Sequence, residues 1–430
     1  MAIGSIGSAL PNSLAWLLQS ISSRDELDVD EVARYAPRRF KDRGARFTMM
    51  VLGWRKAFGT FVPTDYEMVD QGQYVIRGRD AKERACTLSA AVELDPPFRF
   101  QRLMLVRDPP RGYSYRQATI DDYTTCAHVE TQCPTVSDEG TYRLSRGAGF
   151  QTYIQLQGQT RICVIEHDHT IVGWNSASLR SVSSPDPLVF GYLAQACILA
   201  EHQSSGAYWP ASAQNMAWLQ EFADHNYWYL NVGNDRSKNF TEGAQFWSEP
   251  VCDISIACHT REARGVGRRA EMADAPRLAD LFNAAHHQEE FFDPYTGAKL
   301  CERFSRAPNS YGFPQILLGK QAALGIWMAG EKIAHTIGGK TTHSTVANVL
   351  DYGFEGDVGL RELSDLLTTA SGMAREAGMT HLSILASQPS LAYATLAEMA
   401  DGIDHYTMAG LRIEPSDLGS RGLYADHIYF

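Results

Sequence analysis

Three short segments of this chain return 152 residues further on, in the same order and with no gap between them. Arg116-Gln-Ala118-Thr-Ile-Asp-Asp122 comes back as Arg268-Arg-Ala270-Glu-Met-Ala-Asp274. Cys163-Val-Ile165 and Ile171-Val-Gly173 come back as Gln315-Ile-Leu317 and Ala323-Leu-Gly325. Tyr229-Leu-Asn-Val232 comes back as His381-Leu-Ser-Ile384. Each match is weak alone, but three at one offset describe two tandem copies of a single unit. The expected organisation is an accessory region over 1–110, a first unit over 111–262 and a second over 263–430.

Composition narrows the class. With 430 residues the chain exceeds one ordinary domain. Its 44% apolar content with 10% aromatics is that of a well-cored globular protein. No run of 18 apolar residues spans a membrane, and Met1-Ala-Ile-Gly-Ser5 lacks the basic start of a signal peptide. The eight cysteines form no Cys-x-x-Cys, and several sit in apolar strand-like runs, so free thiols in a reducing cytoplasm are expected. A net charge of −11 argues against a sequence-independent grip on nucleic acid. Oligomeric state is left open, a homo-oligomer included.

Residues 1–110 lie outside the repeat. Helices are expected over 12–20 and 28–35, and strands over 46–52, 74–77 and 98–106; Asp108-Pro-Pro110-Arg-Gly112 breaks the chain. The first copy reads as strand 115–119, a helix opened by a Thr119-x-x-Asp122 capping box, and a second helix over 141–156. Strands follow at 160–166 and 170–179 around a His167-Asp-His169 turn, then a long strand over 189–202. Helix 211–224, strand 228–232, a helix from 237–242 and strand 251–258 close it. The second copy repeats that order: strand 266–271, helices 273–285 and 299–306, and strands 315–320, 323–328, 332–337 and 344–352. Helix 360–377 ends at Gly378, then come strand 381–385, helix 389–400 and strand 426–430. The class is α/β with a mixed sheet: β-α-α-β-β-β-α-β-α-β, written twice.

After the long strand of the first copy comes Ile198-Leu-Ala-Glu-His-Gln203-Ser204-Ser205-Gly206-Ala207-Tyr208. Glycine lets a backbone approach an anion closely, and successive N–H groups at a helix N-terminus bind anionic oxygens without basic side chains. The element order and this loop resemble the GNAT superfamily of acyl-CoA-dependent N-acyltransferases, whose fourth strand ends in Gln/Arg-x-x-Gly-x-Gly/Ala. Gln203 and Gly206 match, whereas Tyr208 stands where the family has a small residue. Leu230-Asn-Val232-Gly-Asn234-Asp-Arg-Ser237-Lys-Asn-Phe240 resembles the family's fifth strand and following helix. The resemblance implies that Ile198, Gln203, Ser204, Ser205, Gly206, Ala207, Tyr208, Asn234 and Ser237 hold acetyl-CoA or another acyl-CoA as co-substrate. Thr241 replaces the tyrosine that often protonates the leaving thiolate there. In the second copy Phe354-Glu-Gly-Asp-Val-Gly359-Leu-Arg361 sets carboxylates where a diphosphate would lie, so that copy is expected to be degenerate.

The implied chemistry is direct attack of a neutral amine on a thioester within a ternary complex. The family's usual strand glutamate is missing between Tyr192 and Leu199, so the nearest candidate bases are Glu201 and His202, or Asp351 or Glu355 from the second copy. The expected acceptor is a small-molecule amine. Two rivals stand beside this reading: a non-catalytic tandem interaction protein, and an aminoacyl-tRNA-dependent aminoacyltransferase, which the acidic charge disfavours. His167-Asp-His169 and His286 with Glu290 have metal-like spacing, but a polar hairpin tip and a solvated helix end are the commoner meanings. Tyr227-Trp228-Tyr229 reads as strand core before substrate platform. The Arg143 to Gly149 stretch follows no strand and lacks Gly-Lys-Ser/Thr, so it is no phosphate loop. There is no Gly-x-Ser-x-Gly elbow.

Overall fold

A computed structural model gives the architecture. It describes all residues except 1–9, 24–25, 38–42, 138–139, 183–187, 233–246, 259–265, 290, 412–423 and 425–430. The expected helix at 237–242 and strand at 426–430 fall among these.

The first unit of structure has its own core. Helices α1 (Asn12–Ser22), α2 (Val29–Tyr35) and α3 (Arg43–Phe58) pack on a four-stranded antiparallel sheet. Its strands are β1 (Phe61–Asp70), β2 (Gln73–Asp80), β3 (Ala85–Val92) and β4 (Phe100–Arg107). Leu14, Leu17, Leu18 and Ile21 recur at helical spacing along α1 and are all buried against this sheet. The stretch 46–52, expected as a strand, is the middle of α3. Its alternation is too short to separate the two periods, and burial of Phe47 and Val51 at i, i+4 decides for helix.

The first copy runs β5 (Tyr113–Gln117), α4 (Tyr123–Gln132), β6 (Thr135–Ser137), β7 (Gly140–Ser145), α5 (Gly149–Leu156), β8 (Gln159–His167), β9 (Thr170–Val182), β10 (Leu188–Ile198), α6 (Tyr208–Phe222), β11 (His225–Asn231) and β12 (Trp247–Ala257). The second runs β13 (Arg268–Arg269), α7 (Ala275–His286), α8 (Gly297–Ser305), β14 (Ile316–Leu318), β15 (Ala322–Ile337), β16 (Lys340–Phe354), α9 (Gly356–Glu376), β17 (His381–Ser387), α10 (Tyr393–Met399) and β18 (Gly402–Leu411). The expected helix over 141–156 is instead strand β7 followed by α5. The expected strands 323–328 and 332–337 are one strand, β15, carrying a bulge between Trp327 and Glu331.

The repeated Arg…Asp signature has a structural cause. Arg116 Nη1 and Nη2 donate to both Asp122 oxygens at 2.7 and 2.9 Å, and Arg268 does the same to Asp274 at 2.7 and 2.5 Å. Each aspartate also accepts the backbone N–H of Thr119 or Glu271, closing a capping box. The fork fixes how the first strand turns into the first helix in both copies.

Both copies share one sheet, ordered β13-β14-β15-β16-β17-β12-β18-β11-β10-β9-β8-β5. Its middle shows an exchange. The last strand of the first copy, β12, lies against β17 of the second, and the last strand of the second, β18, lies against β11 of the first. β12 and β18 then pair antiparallel, Val251 opposite Tyr406 and Asp253 opposite Asp404. Helices α4, α5, α7 and α8 share one core on one face, while α9 and α10 cover the second copy on the other. A second interlock comes from β7, which pairs with the far half of β15. Beneath it, Arg146 is buried between Glu130 at 2.5 Å and Glu331 at 3.0 Å.

Candidate functional site

Parallel strands β10 and β11 hold register for three residues only: Phe190 with His225, Gly191 with Asn226, Tyr192 with Tyr227. Past Tyr192, β10 leans on β9 alone, and a bulge between Leu193 and Ala196 interrupts even that ladder. β11 continues against β18. The two strands part, and the edges they turn to the gap have no ladder partner among the described residues. Backbone N–H and C=O groups placed so are ready to pair with a ligand that carries amides. Ala196 is exposed, and Ile198 and Leu199 are half-buried, so the gap is open to solvent.

The expected loop lies at the end of that gap. A 3₁₀ turn over Ala200–Ser205 and Gly206 carry the chain from β10 into α6. The Gln203 amide donates to the Ile198 carbonyl at 3.2 Å. The Ser205 hydroxyl donates to the His202 carbonyl at 2.6 Å and accepts from the Ala207 N–H at 3.1 Å. Gly206 has φ +83°, with open space where a Cβ would stand, and Ala207 is fully buried behind it. The side chain of Ser204 lies outside the described residues, as do Asn234 and Ser237. Tyr208 does not crowd the loop: its hydroxyl is hydrogen-bonded to Ser212 on α6 and to Asn175 on β9, and burial pushes its pKa up. The 15-residue α6 therefore presents its N-terminus to the loop with no side-chain cap.

Glu201 is exposed. His202 Nδ1 is 2.7 Å from the Tyr113 hydroxyl, and its ring lies 5.0 Å from that of His167. Both residues follow the strand end, several positions beyond the bulge. Of the other candidate bases, Asp351 is 3% exposed and bound to the Tyr311 hydroxyl at 2.6 Å and Arg303 at 3.3 Å, and Glu355 pairs with Arg277 at 2.6 Å. His286 bonds Glu289 at 2.9 Å and the Tyr352 carbonyl at 2.9 Å, and no metal-ligand cluster exists among the described residues.

The second copy carries the same topology in closed form. β16 and β17 also part, after Val349 and Ile384. From Val346 to Phe354, however, every residue of β16 is buried. Gly353 lets α7 come so close that a Cβ there would meet the Leu281 backbone at 2.6 Å. α9 starts at Gly356 directly after the strand, with Glu355 as its N-cap and Asp357 in its first turn. There is no loop to cradle an anion, and the charges present repel one.

At the seam between the units the structure assembles a group of side chains that the sequence did not announce. Tyr192 and Tyr227 are buried in the core with their rings stacked at 5.2 Å, and half-buried Tyr229 packs beside them. Trp228 points to the opposite face, against Leu193 and Leu230. Tyr406 on β18 is hydrogen-bonded to Asn231 and to Tyr142, which reaches over from β7. Beside them, Asp253 accepts a hydrogen bond from the Ser383 hydroxyl at 2.5 Å. Burial, with Asp404 and Glu331 adding to it against that hydrogen bond, pushes the Asp253 carboxyl up to about 7. Asp253 is still partly open to solvent, and Asp404 is exposed. Asp253, Asp404 and Tyr406 meet the first copy's strands only because the last strands are exchanged, so no local spacing could have flagged that group.

No protein-family model matches this sequence, and no curated protein does. Solved structures do match. A crystal structure of Saccharomyces cerevisiae N-myristoyltransferase with bound myristoyl-CoA aligns over 74% of this chain and 92% of its own, with 10% identity and a TM-score of 0.51. A second crystal structure of that enzyme with myristoyl-CoA aligns over 74% and 87%, at 12% identity and a TM-score of 0.51. At such identities the likeness is one of fold. It agrees with the expected class, an α/β fold with a mixed sheet.

Proposed function

We propose that this chain is an acyl-CoA-dependent N-acyltransferase whose first unit binds the cofactor and whose acceptor binds beside Asp253 at the seam between the units. The observation that carries this is the open parting of β10 and β11, followed by the Gly206 turn into α6. A pantetheine arm has two amides, which suit the strand edges turned to the gap, and a diphosphate suits the helix N-terminus beyond. Glycine at 206 leaves the backbone free for close approach. A thioester carbonyl laid against the bulge would meet backbone N–H donors there, as transition-state stabilisation requires.

In this reading Ile198, Gln203, Ser204, Ser205, Gly206, Ala207 and Tyr208 form the phosphate end, and Asn234 and Ser237 flank the thiol end. Glu201 and His202 stand with the phosphates. The proton acceptor is Asp253, held near neutrality where a general base works best. It lies two strand spacings, about 10 Å, from β11, so it acts through water. Asp253 and Asp404 also favour a cationic amine, which supports a small-molecule amine as acceptor.

Calorimetric titration with acetyl-CoA and with longer acyl-CoAs tests the proposal. One saturable site per chain is expected, with a rise in thermal stability by mass action. Absence of binding at millimolar acyl-CoA would leave the non-catalytic interaction protein as the better reading.

A further inference from the structure

Cys133 is the C-cap of α4, and Cys197 sits on β10 just past the bulge. α4 is held over this part of the sheet by the Trp174 indole, which donates to the Cys126 carbonyl at 2.9 Å, and Trp174 is the β9 residue that faces Cys197. Cys133 therefore packs against the core cluster that contains Cys197. The two thiols hydrogen-bond each other, and neither is in a disulfide. Cys133 is half-buried, and Cys197 is 7% exposed.

The two environments differ in a useful direction. The Cys197 S–H and the Ile198 backbone N–H both favour the Cys133 thiolate, and they outweigh burial and the nearby Glu130 and Glu201 carboxylates, so its pKa is lowered. The Cys133 thiol and burial hold Cys197 in its neutral form. Cys133 is also the more accessible of the two thiols and Cys197 the more buried, which is the division of labour of an attacking and a resolving cysteine.

We infer that Cys133 and Cys197 form a redox-modifiable dithiol that takes low-molecular-weight disulfides as oxidants and closes the cofactor strand when oxidised. The Cys133 thiolate attacks one sulfur of an external disulfide, the S–S bond breaks, and one thiolate leaves. Cys197 then gives up its proton to solvent and attacks the Cys133 sulfur, and the second external thiolate leaves. Two protein thiols become one disulfide, and the oxidant is reduced to two thiols. The new bond ties the end of α4 to β10 beside the bulge. Its effect on cofactor binding rests on the function proposed above; the dithiol chemistry does not.

The test is incubation of the folded full-length protein with oxidised glutathione, followed by peptide mapping and thiol counting. The expected result is one Cys133–Cys197 linked peptide, two thiols lost, and recovery of both with dithiothreitol. Cys197→Ser should stop at a single glutathione adduct on Cys133, and Cys133→Ser should give neither product. A second readout is acyl-CoA titration of reduced and oxidised protein, with affinity lowered at least tenfold after oxidation. An unmodified Cys133 in the folded protein, or linkage of another pair first, would overturn the dithiol. A Cys133–Cys197 linkage in a protein whose reduced form binds no acyl-CoA would sustain the dithiol and defeat the function instead.

Discussion

The two copies share strand order, the Arg…Asp fork and a pair of parallel strands that part. One keeps the parting open; the other fills it. In the first, a bulge, an exposed Ala196 and a nine-residue strand-to-helix region leave backbone edges and a helix end accessible. In the second, Gly353 admits α7 against β16, His286 takes the Tyr352 carbonyl, and Glu355 ends the strand in an ion pair with Arg277. Duplication thus leaves the parting open in one copy and filled in the other, while the second copy contributes the Ser383 hydroxyl and the β18 carboxylate beside Asp253.

The largest effect should come from uncoupling the copies. Arg146→Ala leaves Glu130 and Glu331 buried without their counter-charge, and about 3–5 kcal/mol of stability should be lost in denaturant titration. If the loss is under 1 kcal/mol, the two units are not joined through this residue.

Next is a matched pair at the two helix starts. Gly206 and Gly356 both have positive φ and open space at the Cβ position. Gly206→Val and Gly356→Val should therefore cost similar strain, about 1–2 kcal/mol each. Only Gly206→Val should weaken acyl-CoA binding, by 100-fold or more in calorimetry. Equal losses of affinity in both would erase the functional distinction between the copies.

The pH behaviour of Asp253 sharpens the picture of the seam. Transfer should rise as pH increases through about 7, and Asp253→Asn should flatten that limb and lower turnover more than acyl-CoA affinity. The stability effect has the opposite sign. With its pKa raised from 3.8 to about 7, the folded state holds the proton more tightly than the unfolded chain. Folding is therefore penalised progressively from about pH 4 to 7 and fully above that. Asp253→Asn should accordingly be more stable than the parent at pH 8 and similar at pH 4. A pH-independent difference in melting temperature would remove the titration from Asp253.

The smallest effect should be equal in the two copies. Asp122→Ala and Asp274→Ala each remove a capping carboxylate, at about 1 kcal/mol. A marked inequality would mean that the repeated signature does different things in the two places.

The sequence by itself determined what depends on near neighbours in the chain. The Arg116–Asp122 and Arg268–Asp274 forks span six residues, and the 152-residue offset between them set the duplication and hence the fold class. The Gln203 to Gly206 loop was legible for the same reason, since a positive-φ glycine before a helix is a local event. Where local signals conflict, as over 46–52 and 141–156, the nearest apolar periodicity misled, because tertiary burial chooses between helix and strand. Only the tertiary structure decided which copy's parting is open and what stands at the seam between the copies. Asp253 faces Asp404, and Tyr142 meets Tyr406, across exchanged strands and an interlocked hairpin. Those contacts join residues more than 150 positions apart, and a carboxyl near pH 7 is a property of that burial and not of the residue.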